Sequence, residues 1–234
     1  LQFPLPDEGA ACMVVEPREP AEGRPWIWRA RFFGHQPALD LALLERGFHL
    51  VYCDVANLFG SPAAVKRWDT FYALARKEGL SERPVLEGMS RGGLIVVNWA
   101  AANPTQVAAV YGDNPVCDFN SWPGGRKGKL SQRDWDRCLK VYGITAEEAA
   151  THRQPCSAET LAPLAKAGVP IALVLGMADE VVPPAENGER LAAVYRKQGG
   201  PVKVWRKPGQ GHHPHGLHPP DELVAFLVKA VIGK

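Results

Sequence analysis

Long apolar runs and an excess of charge of one sign are both missing from this 234-residue chain. The longest apolar run, residues 169–177, is far shorter than the roughly 20 residues that a membrane-spanning helix needs. The 27 basic and 25 acidic side chains leave a net charge of +2, without the basic stripe that is typical of nucleic-acid-binding proteins. These absences predict a soluble protein whose partners are neither membranes nor nucleic acids.

Cysteine pairs at metal-binding spacing are also absent. Whether two cysteines form a disulfide stays open, and the others are expected to be small core residues. The five are Cys12, Cys53, Cys117, Cys138 and Cys156. The chain starts with Leu1-Gln2-Phe3-Pro4, which has neither the charged start nor the apolar core of a signal peptide. A periplasmic or secreted location, after removal of a signal peptide not present in this chain, stays open.

Short apolar runs alternate with helical stretches along the chain, which indicates strand–helix units around a mostly parallel sheet. With 46% hydrophobic residues, the chain is long enough for one core, so we predict a single domain over residues 1–234. The predicted strands are 12–15, 26–31, 48–54, 85–89, 107–111, 171–175 and 202–206. The predicted helices are 37–46, 62–78, 91–102, 184–198 and 221–232.

One segment, residues 118–155, breaks the alternation. It contains Ser121-Trp122-Pro123-Gly124-Gly125 and a mixed run of basic residues. Its position indicates an insertion after the sixth strand. Insertions of this kind lie above the carboxyl ends of parallel strands, where loops build active sites. We therefore predict that this segment is a small cap or lid over a pocket.

The most informative motif is Gly88-Met89-Ser90-Arg91-Gly92. A short apolar run enters it and a helix-forming run leaves it, which is the context of a nucleophile elbow. A side chain two positions before or after the serine is expected to collide with the neighbouring strand and helix. Both positions are glycines, Gly88 and Gly92, which have no side chain. The motif predicts a serine hydrolase with Ser90 as its nucleophile.

A serine hydroxyl is a poor nucleophile at neutral pH, so it needs a base and a carboxylate that orients the base. In proteins with an elbow of this kind, the three residues follow along the chain in the order serine, acid, histidine. We favour Asp179, just past the predicted strand 171–175, as the acid, and Asp113 is its rival. We favour His212 as the base over its neighbour His213.

Four of the seven histidines lie between His212 and His218. A polar loop with incidental histidines and a metal site are the other interpretations of this cluster. We predict no metal and no cofactor, because no carboxylate or cysteine lies at ligand spacing within the cluster and zinc prefers about four ligands.

Two hydrogen-bond donors are needed for the oxyanion of the tetrahedral intermediate. The backbone amide of Arg91 is one, and the amide of Arg31, in the stretch 28–34 that includes the loop after the third strand, is the favoured second. The side chains of Arg29, Arg31 and Arg91 form either a positive rim for an anionic substrate or salt bridges within the protein. Trp122 either stacks on a sugar face or packs the cap onto the domain.

The predicted substrate-binding side chains are Arg29, Trp122 and Asp113. Over nearly its whole length the chain resembles the α/β-hydrolase superfamily, through the elbow, the acid loop 176–179 and Gly211-His212 in order. The resemblance implies an α/β-hydrolase fold, a mostly parallel central sheet flanked by helices, with a small cap insertion after the sixth strand.

Three stretches, residues 26–34, 89–93 and 121–125, are similar to a bacterial group described as prolyl-oligopeptidase-like, some of whose relatives are carbohydrate esterases. The pair Ser90-Arg91 also resembles glucuronoyl esterases, although the rest of their elbow is not reproduced.

Together these observations predict a carboxylic ester hydrolase that acts through an acyl-enzyme. The expected substrate is a small-molecule or oligosaccharide ester, either an acylated sugar or a uronate alkyl ester. A peptidase or amidase of the same fold and a non-catalytic carbohydrate-binding relative are the alternatives. The sequence does not indicate the oligomeric state.

Overall fold

The computed structural model describes residues 1–6 and 8–233, so Asp7 and Lys234 of the predicted domain lie outside the described residues. The strands are β1 (Gln2–Pro4), β2 (Ala11–Val15), β3 (Trp26–Arg29), β4 (His49–Cys53), β5 (Val85–Met89), β6 (Ala109–Asp113), β7 (Ile171–Gly176) and β8 (Val202–Lys207). The helices are α1 (Ala38–Leu44), α2 (Pro62–Lys77), α3 (Gly92–Ala102), α4 (Gln132–Tyr142), α5 (Ala146–Thr151), α6 (Ala158–Lys166), α7 (Gly188–Lys197) and α8 (Asp221–Ile232), with a 3₁₀ turn at Pro104–Gln106.

These strands form one sheet in the order β1-β2-β4-β3-β5-β6-β7-β8. Six neighbouring strands, β4, β3, β5, β6, β7 and β8, are parallel to one another. Strands β1 and β2 lie at one edge and pair antiparallel. The carboxyl ends of the parallel strands therefore lie along the same edge of the sheet. This edge collects the loops that follow β3, β5, β6, β7 and β8, which is the usual place for a site in such a sheet.

Two large apolar clusters cover the two faces of the sheet. On one face, the ring of Trp28 stacks on Trp68 of α2 at 3.9 Å between ring centres, and Trp99 of the buried helix α3 packs edge-on against both. On the other face, Leu43 of α1 and Leu223 of α8 are fully buried. Burial of these large side chains supplies the main favourable term for folding and fixes the positions of the strand ends.

The segment 118–155 covers a third, smaller apolar cluster. Its members from the segment are Phe119, Trp122, Cys138 and Ala149, and its members from the rest of the chain are Phe59, Leu94, Val116 and Val182. The segment contains α4 and α5, and α5 begins with a capping box in which Thr145 and Glu148 exchange hydrogen bonds. The insertion after the sixth strand is thus a folded unit that packs on Leu94 of α3.

Sequence patterns missed β1 and the three helices α4, α5 and α6. Strand β1 has three residues, one of them a proline, so it carries no readable period, and pairing with β2 makes it a strand. Helix α6 contains Pro163, which masks its helical pattern. The five cysteines are buried as free thiols. Within the described ranges, no helix combines the length and the apolar character that crossing a bilayer requires.

Candidate active site

Ser90 lies on the tight turn between β5 and α3. Its φ of 49° is in the left-handed region, which non-glycine residues seldom occupy. The turn is held on both sides: Ser90 N donates to Asp113 O at 2.9 Å, and Ser90 O accepts from Val116 N at 2.8 Å. The hydrogen bonds of the surrounding loops therefore keep this strained residue at the carboxyl edge of the sheet.

Close packing around the turn requires two glycines, and one of them is not the one that the sequence predicts. A Cβ on Gly88 would lie 2.6 Å from Val96 Cγ2. A Cβ on Gly92 would lie 3.4 Å from Ala30 Cβ, which is an ordinary contact, so the predicted collision at Gly92 is wrong. Gly93 is the second crowded position, because its Cβ would lie 2.6 Å from the backbone oxygen of Val116.

A chain of hydrogen bonds joins Ser90, His212 and Asp179. Ser90 Oγ lies 3.0 Å from His212 Nε2, and His212 Nδ1 lies 2.6 Å from Asp179 Oδ2. The elbow, the loop after β7 and the loop after β8 supply one residue each. Residues separated by as many as 122 positions thus meet because their strands are parallel.

Asp179 is fixed on its other oxygen. Its Oδ1 accepts hydrogen bonds from the backbone amides of Val181 and Val182, each at 2.9 Å, and the residue is 4% exposed. A buried carboxylate needs such donors, because without them the desolvation of its charge is unfavourable. Both oxygens of Asp179 are therefore engaged, one with the backbone and one with His212.

Asn114, which the sequence reasoning did not single out, connects the loops that carry the acid and the base. Its Nδ2 donates to the carbonyl oxygen of His212 at 3.0 Å, and its Oδ1 accepts from Gly176 N at 2.7 Å. The only signal in the sequence is its position directly after strand β6. Asn114 positions the backbone of His212 relative to the end of β7.

Asp113, the rival acid and a predicted substrate-binding residue, is bound to a different histidine. Asp113 is fully buried, and its Oδ1 lies 2.9 Å from His215 Nδ1. Its Oδ2 accepts from Tyr111 and from the backbone amide of Gly216. Burial opposes ionisation, but the hydrogen bonds from His215 and Tyr111 outweigh it and lower the pKa of Asp113. With both oxygens used internally, Asp113 is not placed to bind substrate.

Arg29, also predicted to bind substrate, is instead 1% exposed and lies against two buried acidic side chains, Asp40 and Glu87. Burial alone lowers the pKa of Arg29, but the negative charge that this acidic pair carries more than offsets it and raises the pKa. Arg29 Nε also donates to Arg31 O at 3.2 Å, and its Nη2 donates to His35 O. The side chain therefore holds the loop after β3 from inside the protein and does not reach the cleft.

The two predicted oxyanion donors lie in loops that meet beside the elbow. Neither the amide of Arg31 nor that of Arg91 donates to a protein acceptor within residues 1–6 and 8–233, so both N–H groups are available. The Cβ position of Gly92 is 4.0 Å from Arg31 N, which places this amide next to the start of α3. Two unbonded backbone amides beside the nucleophile are the groups that an oxyanion hole requires.

The side chain of Arg91 packs against the segment 118–155. Its guanidinium lies 4.6 Å from the ring centre of Trp122 and donates to both carboxylate oxygens of Asp134 at 3.3 and 3.1 Å. Trp122 is 7% exposed and also stacks on Phe59. Of the two interpretations of Trp122, the structure favours packing of the segment onto the domain over an exposed sugar platform.

A cleft of about 500 Å³ opens beside Ser90. It is lined by Phe32, Phe33, His35, Met89, Ser90, His212, His213 and His215. A larger groove of about 860 Å³, between α2 and the region of α5 and α6, contains none of the three hydrogen-bonded residues Ser90, His212 and Asp179. The apolar cleft is therefore the place where a substrate can reach Ser90.

The sheet, the elbow and the hydrogen-bonded serine, histidine and aspartate define a serine hydrolase of the α/β-hydrolase class. The chain belongs to the prolyl oligopeptidase family, whose sequence pattern matches residues 70–231. No curated protein matches the sequence significantly.

Two solved structures illustrate the likeness of the fold. A puromycin-hydrolysing peptidase of Mycobacterium tuberculosis is 16% identical, with a TM-score of 0.73, and the match covers 97% of this chain and 37% of that protein. Est1E of Butyrivibrio proteoclasticus with bound ferulic acid is 20% identical, with a TM-score of 0.69, and the match covers 98% of this chain and 99% of Est1E. At these identities the likeness shows the fold alone. The chain spans little more than a third of the peptidase.

Proposed function

We propose that this protein is a serine carboxylic ester hydrolase that acts through an acyl-enzyme on an ester of a carbohydrate, either an acylated sugar or a uronate alkyl ester. The observation that carries the hydrolytic chemistry is the hydrogen-bonded chain from Ser90 through His212 to Asp179. A non-catalytic binding protein has no use for these three groups in this geometry.

In the first half of the reaction, Ser90 Oγ attacks the ester carbonyl carbon while His212 Nε2 takes the hydroxyl proton. Asp179 accepts a hydrogen bond from His212 Nδ1 and stabilises the imidazolium that forms. The amides of Arg31 and Arg91 donate to the oxyanion. The tetrahedral intermediate collapses when His212 gives its proton to the leaving alcohol. Water then attacks the acyl-enzyme in the same way and releases the acid.

The lining of the cleft favours an ester over a peptide. Phe32, Phe33 and Met89 give it an apolar wall that suits an acyl group. No acidic side chain lines the cleft within the described residues, so the lining offers no ion-pair partner for the ammonium group of a peptide. The guanidinium of Arg31, 4.9 Å from the ring centre of Phe32, forms no ion pair among the described residues, but Arg31 lines a small neighbouring pocket and not this cleft.

The similar structures support each of the two chemistries. Est1E, which matches this chain over nearly its whole length, binds ferulic acid, an aromatic carboxylic acid. That observation supports an aromatic or apolar acyl group in the cleft. The puromycin-hydrolysing peptidase and the family supply the second candidate, an amidase or peptidase.

A matched pair of substrates tests the proposal. We expect the protein to hydrolyse p-nitrophenyl esters, and among natural substrates acetylated sugars or methyl glucuronate, at least about 100-fold faster than the p-nitroanilide with the same acyl group. Ser90→Ala should abolish this activity. Ser81→Ala is the control, because it removes a hydroxyl that has no hydrogen-bond partner in the described part of the chain and lies before the amino end of β5.

Three results would overturn parts of the proposal. Anilide hydrolysis as fast as ester hydrolysis would establish the amidase instead. Equal activity of native protein and Ser90→Ala would exclude Ser90 as the nucleophile. Hydrolysis of simple esters without any activity on sugar esters would exclude the carbohydrate substrate.

A further inference from the structure

Three imidazole rings meet at one side of the cleft. His212, His213 and His215 each place a ring nitrogen within 4.8 Å of the other two. Their ring centres are 4.8 to 5.1 Å apart, and the rings are nearly perpendicular to one another. The proposed hydrolysis uses only His212, which leaves the other two rings without a role.

Two of these rings are oriented by buried carboxylates in the same way. Asp179 holds Nδ1 of His212 at 2.6 Å, and Asp113 holds Nδ1 of His215 at 2.9 Å. Because Nδ1 is occupied, Nε2 is the nitrogen that remains on each ring for another partner, which for His212 is Ser90 Oγ. Nε2 of His215 has no hydrogen-bond partner among the described residues. A carboxylate behind the second ring nitrogen is the usual arrangement of histidines that bind metals.

We propose that His212, His213 and His215 bind a divalent transition-metal ion, Zn²⁺ or Cu²⁺, and that the bound ion inhibits the hydrolase. Imidazole nitrogen suits both ions. Zinc–nitrogen bonds of about 2.0–2.1 Å in a tetrahedral site bring the nitrogens to roughly 3.3 Å from one another. The three nitrogens therefore have to approach by at most about 1.5 Å. His213 is exposed on a loop, so its ring supplies most of this movement.

Inhibition follows from competition for one lone pair. The Nε2 lone pair of His212 forms a coordinate bond to the ion, the hydrogen bond to Ser90 breaks, and Ser90 keeps its proton. No electron is transferred, and a chelator reverses the reaction. The metal site itself is independent of the substrate, whereas its inhibitory effect rests on the proposed role of His212 as base.

Calorimetric titration of the chelator-treated full chain with ZnCl₂ tests binding directly. We expect one ion per chain for the native protein. His213→Gln should weaken binding at least about tenfold. His218→Gln is the matched control, because His218 lies in the same loop and, among the described residues, its ring makes a hydrogen bond only with the carbonyl oxygen of His215. Equal affinity of His213→Gln and native protein, or no binding by native protein, would overturn the site.

Activity measurements then test inhibition. With each variant compared to its own metal-free rate, ZnCl₂ should inhibit native protein and His218→Gln at the same concentrations, EDTA should restore the rates, and His213→Gln should need at least about tenfold more metal. Stoichiometric binding without inhibition would refute the inhibitory role. Ser90→Ala, which has no hydrolytic activity to measure, should still bind one ion, so a failure of the proposed hydrolysis does not affect the test of the site.

Discussion

Replacing Asp179 with asparagine tests the assignment of the acid, because the structure determines how the new amide is oriented. Asp179 Oδ1 accepts from two backbone amides, those of Val181 and Val182. An NH₂ group at that place would face two donors, so the amide oxygen stays there and the NH₂ group faces His212. His212 Nδ1 then has to accept, and its proton moves to Nε2. An imidazole with a proton on Nε2 cannot take the proton of Ser90.

The expected fall in kcat is therefore the one that results when the histidine is held in the wrong tautomer. In serine proteases of the chymotrypsin type, replacing the triad aspartate with asparagine reduces kcat by about 10⁴, which corresponds to about 5 kcal/mol of transition-state stabilisation. We expect a fall of this size for Asp179→Asn, with little change in KM because Asp179 does not line the cleft. Initial rates on a p-nitrophenyl ester at neutral pH, with protein that keeps the native circular dichroism, measure it.

Asp113→Asn is the matched control, since Asp113 makes the same kind of contact with His215. The new amide group places a donor where the buried network has donors of its own, from His215 and Gly216. Asp113→Asn should therefore destabilise the fold by about 1–3 kcal/mol and leave kcat within tenfold of native. A larger fall in kcat for Asp113→Asn than for Asp179→Asn would refute the assignment and make Asp113 the acid.

Three further predictions concern the surroundings of the site. Burial raises the pKa of Glu87 well above its ordinary value near 4.5, so the folded state keeps a proton that the unfolded chain releases and stability falls as the pH rises above that value. Glu87→Gln, which keeps a donor for Asp40, should flatten this dependence in urea titrations at pH 5 and pH 8, and an unchanged slope would contradict the argument. Gly88→Ala should destabilise the fold by about 1–3 kcal/mol in urea unfolding, because its Cβ meets Val96, and native stability would contradict it. Phe32→Ala should lower kcat/KM about tenfold for an aromatic acyl ester and little for an acetate, since Phe32 lines the cleft, and equal losses would contradict that role.

Sequence reasoning reaches the parts of the site that depend on topology. Parallel strands bring their carboxyl ends together, so a serine after β5, an aspartate after β7 and a histidine after β8 are expected to meet, and Ser90, Asp179 and His212 do meet. Which aspartate pairs with which histidine is harder to predict from the sequence. Asp113 and Asp179 both follow a strand end, and only the loop that returns His215 to β6 distinguishes them.

Burial of Arg29 could not be predicted for a related reason. Its partner Asp40 belongs to α1 and its partner Glu87 belongs to β5. The sequence around neither position indicates that an acidic side chain is buried there. An arginine beside a predicted oxyanion loop has the same local sequence whether it faces the cleft or the interior. The packing of α1 against the sheet decides between these orientations.

The backbone amide of Val182 holds Asp179, and the side chain of Val182 belongs to the small cluster under the segment 118–155. The carboxylate that orients His212 is therefore held by a residue that packs in an apolar cluster separate from the two large clusters on the sheet. Because this cluster is small, we expect it to open before the large ones, and its opening would release the amide while the sheet remains folded. On heating, hydrolytic activity should then disappear before the sheet loses its circular dichroism, and simultaneous loss of both would contradict this coupling.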